Sequence, residues 1–175
     1  MTHQTDFVPS AENSRLLRDA FGRFATGVTI VTVASEDGPV AITANSFSSL
    51  SLSPPLLLWS IDRGANRFRY FEQAEHFAVH ILSAAQKSLC WDVAKDAFCL
   101  RGRALGENGD GVPLLEGALA RFECARHAAY DGGDHMICVG RVLRASLSEA
   151  DCADASEALT FFKGSEGRFH PIESA

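Results

Sequence analysis

The sequence predicts a mainly β protein, in which about five to seven strands form a closed barrel with short helices at its periphery. Three observations support this fold class. β-Branched and apolar runs recur along the chain, clusters of glycine, asparagine, aspartate and proline separate them at short intervals, and few segments carry a long helical pattern. Closure of the barrel would also leave no strand edge exposed to other chains.

Length and composition predict a single soluble domain. The chain has 175 residues, of which 46% are hydrophobic and 22% charged, and this suffices for one full core. The net charge of −6 argues against a nucleic-acid partner, which would need a basic surface. Residues 1–12 lack a signal-peptide pattern, and no apolar run reaches the roughly eighteen residues of a membrane span. We therefore expect no membrane contact and a cytoplasmic location.

The cysteines follow no disulfide or metal-binding framework. Their count is odd, and no two of them form a C-x-x-C pair. Such a pattern favours reduced, partly buried thiols over disulfides or a zinc site, with a catalytic thiol as the alternative. The cysteines are Cys90, Cys99, Cys124, Cys138 and Cys152.

The first half of the chain predicts one helix and then strands separated by turns. Asn13 or Ser14 can cap the helix, whose apolar residues share one face as far as Phe24, and Gly27 fits its C-terminal stop. A strand at 28–34 and a strand from Val40 onward form an antiparallel pair around a turn at 36–39. The remaining predicted elements of this half are a buried strand at 56–61, a loop at 62–66 and a short helix at 67–74.

The second half predicts further strands around a glycine-rich loop. A strand at 76–83 and a helix at 84–95 precede this loop, which covers 98–112 and lacks the flanking strand and helix of a dinucleotide-binding motif. The other predicted elements are strands at 119–130 and 135–147 joined by a turn at 131–134, a last strand at 159–163 and a turn at 164–167.

Residues 43–51 form a polar run between two apolar strands. The run carries hydroxyl and amide side chains, which are costly to bury without hydrogen-bond partners. Short donors and acceptors on a backbone held by two strands would suit a flat polar ligand that needs many hydrogen bonds. The alternative is a serine-rich surface loop, because serine, asparagine and proline are ordinary loop residues.

Two smaller patterns are candidates for binding chemistry. Gly64, Asn66 and Arg67 lie near a predicted helix start, where free amide groups and the helix dipole favour a phosphate. His76 and His80 share one face of a predicted strand, but no third ligand is near, so we expect no metal site.

The chain lacks the motifs of hydrolysis and phosphoryl transfer. It contains no nucleophile elbow, metalloprotease helix, P-loop or paired-carboxylate motif. A redox enzyme needs fewer reactive groups of its own, because its cofactor carries the difficult chemistry. The sequence therefore favours redox chemistry with a borrowed cofactor.

Short motifs occur along the chain in a defined order: FGRFATGVTIVT at 21–32, TANSFSSLS at 43–51, PPL at 54–56, FAV at 77–79, IL at 81–82, PLLEGA at 113–118, GDH at 133–135 and GRV at 140–142. No single motif is specific, but the ordered set resembles the flavin reductase-like family. Its members are the small reductase components of two-component monooxygenases. The similarity runs from about residue 16 to residue 169.

This resemblance implies an FMN-binding split β-barrel over residues 14–171, preceded by a flexible segment at 1–13. It implies a homodimer with flavin at or near the interface. In the implied reaction, NADH or NADPH passes hydride to the N5 atom of FMN or FAD, and the reduced flavin goes to a partner oxygenase. Without a Rossmann domain, nicotinamide would lie directly on the exposed flavin face, with the reacting atoms about 3–3.5 Å apart.

The resemblance also implies a set of site residues. His135 is the expected catalytic contact to nicotinamide, and His80 is expected close to the flavin, where members of the family usually have asparagine. The candidates for the flavin phosphate are Ser60, Asn66 and Arg67. The expected contacts to the isoalloxazine ring and the ribityl chain are Thr43, Ala44, Asn45, Ser46 and Ser48.

Three alternative functions stay open on the sequence. A related split-barrel enzyme would hold flavin tightly and reduce another small molecule, such as a corrinoid. An enzyme similar to pyridoxamine-phosphate oxidase would use the same barrel with a basic pocket for a phosphorylated substrate. A flavin-binding module without turnover would act as a sensor or a store.

Overall fold

The computed structural model describes residues 4–149 and 157–170. Cys152 and the predicted domain end at residue 171 lie outside these ranges. Within these ranges there are three α-helices: α1 (Ser14–Phe21), α2 (Phe68–Gln73) and α3 (Lys87–Lys95). Single 3-10 turns precede α1 at Ala11–Asn13 and α3 at Ala84–Gln86. None of the helices in these ranges is long and apolar enough to cross a membrane.

Strands make up most of the regular structure, which confirms the mainly β fold class. They are β1 (Thr26–Gly27), β2 (Thr29–Val33), β3 (Val40–Ala44), β4 (Ser48–Leu52), β5 (Pro55–Asp62), β6 (His76–Ile81), β7 (Gly106–Glu107), β8 (Pro113–Leu114), β9 (Ala120–Gly132), β10 (His135–Leu147), β11 (Leu159–Phe162) and β12 (Ser165–Arg168).

The main sheet is antiparallel and has the strand order β3-β2-β6-β9-β10-β5-β4. Its two edge strands, β3 and β4, form no ladder with each other in the described ranges, so the barrel is split and the predicted full closure is wrong. Ser46 lies in the connection between these strands. Its hydroxyl donates to the Ser60 carbonyl and accepts from the Ser60 N–H, which directs the chain onto β5.

One core lies inside the curved sheet and receives side chains from six of its strands. Trp59 is 1% exposed and contacts Phe71 and Phe77 edge-on, with ring centroids 5.5 and 6.0 Å apart. Gly140 on β10 faces Phe77, and a Cβ at this position would lie 2.5 Å from the phenylalanine Cζ. The position therefore accepts only glycine unless the Phe77 ring moves.

A second apolar cluster packs α3 against the outer side of β2 and β3. Cys90 and Val93 of α3 meet Ile30 and Ala41 of these strands, and Leu159 of β11 joins them. A small sheet of order β1-β11-β12 lies next to this cluster. It brings residues 26–27 together with residues 159–168, which places the end of the described chain beside α3.

The structure corrects three predicted element boundaries. The first helix ends at Phe21 with Gly22 as its cap, whereas Gly27 lies in β1. Residues 48–52 of the polar run form the edge strand β4, so the alternative of a serine-rich loop is wrong there. The predicted turn at 164–167 is confined to Lys163 and Gly164, whose φ angles of 49° and 78° reverse the chain into β12.

Candidate functional site

A groove beside the end of β3 brings together the first two residues of the predicted site. Thr43 and Asn45 point to the same side of the chain because they are two residues apart, and both line this groove of about 270 Å³. Its other walls come from α3 and from the β11–β12 hairpin, chiefly through Trp91, Phe161 and Glu166. The neighbouring Ala44 points inward, so alternation along the strand separates the groove from the core.

Hydrogen bonds hold the two sides of the groove in place. The Thr43 hydroxyl donates to the Cys90 carbonyl at 3.0 Å, which fixes α3 against β3. Phe161 is the register partner of Glu166 across the hairpin, so their side chains stand next to each other on one face. Trp91 on α3 is 43% exposed, and its indole forms an aromatic wall together with Phe161. A flat ring would fit between such walls.

Glu166 is the charged group of the groove. Its Oε2 lies 3.5 Å from the Lys87 ammonium, and its side chain is only 15% exposed. Its other oxygen, Oε1, is buried and has no hydrogen-bond partner among the described residues. Native proteins rarely leave a buried polar atom unpaired, because the lost hydration is not replaced. Oε1 therefore lacks a partner, and a donor on a ligand could supply one only after the carboxylate rotates.

A second group of predicted residues lies on the outer face of the main sheet. Ser46 is bonded to the Ser60 backbone, and Ser60 pairs with Ile137 in register. Two residues further, Asp62 pairs with His135, so Ser60 and His135 share this face. Ser48 stands on the adjacent strand opposite Leu58. The structure thus places Ser46, Ser48, Ser60 and His135 on one surface that continues from Asn45.

His135 has one of its two ring nitrogens committed. Its Nδ1 lies 2.7 Å from the Asp134 carboxylate, which can only accept, so Nδ1–H is the donor. The Nε2 atom then remains as an acceptor for a ligand, and the side chain is 42% exposed. The hydrogen bond from His135 lowers the pKa of the Asp134 carboxyl. A fixed tautomer and orientation suit a residue that positions a ligand.

Residues 62–67 offer less to a phosphate than the sequence indicates. The Gly64 N–H donates to the Asp62 carboxylate at 2.7 Å and is therefore not free. Arg63 is paired with Asp131 at 3.1 Å. Among the three candidates for the flavin phosphate, Asn66 is the residue that is exposed to solvent.

Arg67 serves a structural role that the sequence did not indicate. Its guanidinium donates to the carbonyls of Ala41, Val93 and Ala94 at 2.8, 2.6 and 3.2 Å. These bonds connect the C-terminal turn of α3 to β3, where orphan helix carbonyls need donors. Burial lowers the pKa of the Arg67 guanidinium. The expected contact between Arg67 and the flavin phosphate therefore competes with three existing bonds.

The predicted flavin contact of His80 is wrong in this structure. The side chain is fully buried on the outer side of the sheet, on the face that Ile30 shares and Leu115 covers. Its Nδ1–H donates to the Ile30 carbonyl at 3.1 Å, and its Nε2 accepts from the Leu115 N–H at 3.0 Å. Burial lowers its pKa to about 4, so the ring is neutral near pH 7. His80 is a core histidine with both nitrogens satisfied.

The Ala44 side chain is part of the core and does not face the groove. Its carbonyl accepts from the Thr29 hydroxyl at 2.8 Å, and its backbone pairs with Thr29 in the main sheet. Only its backbone could therefore contact a cofactor.

The described cysteines and histidines give no sign of a thiol nucleophile or a metal centre. Burial raises the pKa of Cys124 to about 12 and that of Cys138 to about 11, which keeps both thiols protonated. Within residues 4–149 and 157–170 no three His, Cys, Asp or Glu side chains cluster as a metal would require. His76 instead lies 3.8 Å from Asp110.

Sequence reasoning missed three groove residues. Trp91 lies within the predicted helix at 84–95, Phe161 within the predicted last strand and Glu166 within the predicted turn at 164–167. Local patterns held no signal for their convergence, because α3 and the hairpin meet only in the folded chain.

Comparison with known proteins supports a single family. Residues 21–170 match the flavin reductase like domain. The FMN reductase (NADH) SmoA of Agrobacterium fabrum is 47% identical over 174 residues, covering 97% of this chain and 94% of SmoA. The solved structure of the NADH:FAD oxidoreductase SgcE6 of Streptomyces globisporus has a TM-score of 0.85 at 36% identity, covering 99% of this chain and 97% of that chain.

A second solved structure extends the similarity to a component of a larger enzyme system. BorF, the flavin reductase component of a bacterial two-component tryptophan halogenase, has a TM-score of 0.79 at 38% identity, covering 91% of this chain and 99% of that chain. The ordered motifs, the split antiparallel sheet and the matched length agree: the chain belongs to the flavin reductase-like domain family.

Proposed function

We propose that this protein is an NAD(P)H:flavin oxidoreductase that reduces FMN or FAD and delivers the reduced flavin to a separate oxygenase. The observation that carries the proposal is the groove at the end of β3, where Thr43 and Asn45 stand beside the aromatic walls formed by Trp91 and Phe161. Family membership and the printed names of SmoA, SgcE6 and BorF support the same reaction class.

The residues present fit a flavin. The exposed amide of Asn45 supplies both a donor and an acceptor for the polar edge of the ring, and the Trp91 indole accepts its apolar part. A bound flavin would supply the hydride acceptor, which the side chains of the protein lack. The chain then has to orient the ring, keep one face open and hold the nicotinamide within reach.

His135 is proposed to hold the nicotinamide nucleotide rather than to transfer a proton. Hydride transfer from the donor carbon requires no proton from a side chain. The Asp134 carboxylate fixes the imidazole, and the acceptor Nε2 remains on the outer face that also carries Ser60. His135 would thus position the donor, while Ser46 and Ser60 keep the adjacent backbone in place.

We propose that the active form is a homodimer in the cytoplasm, where reduced nicotinamide is available. β4 is an edge strand, and its Leu50 and Leu52 are 50% and 96% exposed. Leu143 and Leu147 on β10 are also exposed. Exposed apolar residues on an unpaired strand edge are a liability unless another surface covers them. A second copy of the chain is the proposed cover, and the oxygenase is the proposed recipient of the product.

Steady-state oxidation of NADH and NADPH, with and without added FMN or FAD, tests the reaction. We expect nicotinamide oxidation to depend on both the protein and the flavin and to saturate with the flavin. Flavin should also raise the thermal midpoint of unfolding, because it binds the native state. If flavin raises the midpoint but no nicotinamide is oxidised, the protein is a binding module; if neither occurs, the proposal is wrong.

The variant Asn45→Ala tests the groove as the flavin site. Loss of one hydrogen bond to an uncharged group costs roughly 0.5–1.5 kcal/mol, which corresponds to a several-fold rise in the flavin dissociation constant. Ser49→Ala is the matched control, because Ser49 is an exposed residue of the neighbouring β4 that does not line the groove. Equal flavin affinities of the two variants would place the flavin elsewhere.

A further inference from the structure

We propose that Glu166 recognises the carboxamide of the nicotinamide ring and thereby helps to hold the nicotinamide nucleotide. This inference rests on the proposed function and assigns one wall of the groove to the nucleotide. The β11–β12 hairpin supplies both Glu166 and Phe161 as register partners, opposite Trp91 of α3. An aromatic contact and a carboxylate oxygen thus lie side by side.

The unpaired oxygen limits what the ligand can be. A carboxylate only accepts hydrogen bonds, so Oε1 requires an N–H or O–H donor and repels phosphate or carboxylate groups. The terminal torsion of glutamate is broad, and a small rotation can turn Oε1 from the buried position toward the groove. Lys87 contacts the other oxygen and is itself 59% exposed, so it neutralises the carboxylate only in part.

A second polar atom without a hydrogen-bond partner lies in the same row of paired residues. Thr26 pairs with Phe161, which in turn pairs with Glu166, so the three side chains stand on one face of the small sheet. The Thr26 hydroxyl is also buried without a partner among the described residues. Two polar atoms without hydrogen-bond partners, on either side of an aromatic ring, are unusual in a protein core. They indicate that a ligand binds to this face and supplies the missing partners.

The sign of the charge assigns this wall to nicotinamide rather than to flavin. Negative charge develops on the pyrimidine edge of a flavin during reduction, and a carboxylate there would oppose the reaction. The nicotinamide ring changes in the opposite direction, because loss of hydride converts a neutral ring into a cationic pyridinium. A carboxylate beside its amide both accepts the N–H and favours the developing positive charge.

Binding of two nucleotides that differ only at this group tests the inference. The probes are NAD⁺ and nicotinic acid adenine dinucleotide, in which a carboxylate replaces the carboxamide, and calorimetry of the full chain gives their dissociation constants. We expect the wild-type protein to bind the amide roughly tenfold or more tightly than the acid, because a hydrogen bond to a charged group is at stake. Glu166→Gln should reduce this ratio at least several-fold.

Two further variants separate recognition from structure. Glu157→Gln removes a carboxylate that is bonded to Arg168 beside the same hairpin and should keep the wild-type ratio. Lys87→Met removes only the ion-pair partner and should keep the preference for the amide. A Glu166→Gln protein with the wild-type ratio, or a Lys87→Met protein with the same loss as Glu166→Gln, would overturn the inference.

Titration with FMN separates failure of this inference from failure of the proposed function. All variants should bind FMN with wild-type affinity. If FMN binds but the amide-to-acid ratio does not depend on Glu166, only the recognition role is wrong. If the wild-type protein binds neither FMN nor either nucleotide, both proposals are wrong. A Glu166→Gln variant that loses FMN and keeps NAD⁺ would assign the carboxylate to the flavin instead.

Discussion

At the scale of single residues, replacement of His135 should weaken the interaction with NADH and leave the affinity for flavin unchanged. Its Nδ1–H is bound to Asp134, so its Nε2 acts as a fixed acceptor at the strand end. We expect His135→Ala to raise KM for NADH more than it lowers kcat, because a positioning group contributes to the ground state and the transition state alike. Steady-state kinetics and FMN titration measure the two effects.

Asp134→Asn is the companion variant for His135. It keeps the size of the side chain but removes the carboxylate that orients the ring, so KM for NADH should rise less than in His135→Ala. The variants should bind FMN with the same affinity as the wild type. Unchanged NADH kinetics in His135→Ala, or a primary loss of FMN, would leave His135 with a structural role.

His80 should make the fold sensitive to acid. Its pKa is about 4 in the folded chain and about 6.5 in an unfolded one, so the unfolded chain binds the proton more readily. The contribution of His80 to the free energy of unfolding is therefore greatest above pH 6.5 and falls by about 3 kcal/mol as the pH decreases towards 4. Protonation of Nε2 would also break its bond with the Leu115 N–H. Urea titrations across this range measure the slope.

The matched variants for this test are His80→Gln and His127→Gln. His80→Gln is expected to lower stability at neutral pH, since it disturbs two buried bonds, and to flatten the slope between pH 6.5 and 4. His127 is exposed on β9, so its variant should keep the wild-type slope. An unchanged slope in His80→Gln would assign the acid sensitivity to other groups.

His80 and Glu166 illustrate what the sequence could reveal at this scale. Spacing correctly placed His80 on a strand. It could not tell that His80 would be buried on the outer side of the sheet, because this depends on Ile30 and Leu115, far away in the sequence. Glu166 became visible only through the pairing of β11 with β12.

At the scale of elements, Arg67 should stabilise the contact between α3 and β3. Its guanidinium satisfies three carbonyls, including those of the last turn of the helix. Arg67→Ala should lower the free energy of unfolding by about 2 kcal/mol, because charged hydrogen bonds are lost and carbonyls remain unpaired. Arg67→Lys should recover part of the loss, since an ammonium can serve fewer of the acceptors. Urea unfolding measures both changes.

The ratio of FMN affinity to riboflavin affinity distinguishes this role from phosphate binding. Riboflavin lacks the phosphate, so an arginine that holds the phosphate would change the ratio when removed. We expect Arg67→Ala to keep the ratio and Asn66→Ala to lower it, if the exposed Asn66 meets the phosphate end. A selective loss of FMN binding in a stable Arg67→Ala protein would contradict the structural role.

The sequence predicts that a strand or helix exists better than it predicts where the element begins and ends. Apolar alternation correctly indicated β2, β5, β6, β9 and β10, whose side chains build the core. The polar strands β4 and β12 were missed, because Ser48–Leu52 and Ser165–Arg168 carry little apolar pattern and become strands through pairing with apolar neighbours. Tertiary context outweighs local propensity in such edge positions.

At the scale of the whole molecule, the exposed leucines should control assembly. We expect the wild-type protein to be a dimer in light scattering after size exclusion and Leu52→Asp to shift it towards the monomer, because a charge would be buried in an apolar interface. Val8→Asp is the control, since Val8 is 84% exposed but distant in the chain from β4 and β10. A monomeric wild type would disprove the proposed dimer.

For the whole molecule, the order of the strands in the main sheet could not be predicted from the sequence. Fold class was available from the spacing of turns, and the resemblance supplied the split barrel. Five to seven strands were predicted, whereas the described residues form twelve, of which seven build the main sheet. The order β3-β2-β6-β9-β10-β5-β4 is not encoded in any local run, because it depends on which strands meet after long connections. The predicted closure was wrong for this reason, since β3 and β4 remain the two unpaired edges of the described sheet.

The small sheet has a consequence for the making of the protein. It joins residues 26–27 to residues 159–168, and this late hairpin supplies Phe161 and Glu166 to the groove. Ribosomes add about 5–20 residues per second, so Asn45 emerges on the order of ten seconds before its opposite wall exists. A nascent chain can therefore shape most of its core early but cannot capture a ligand until translation is nearly finished.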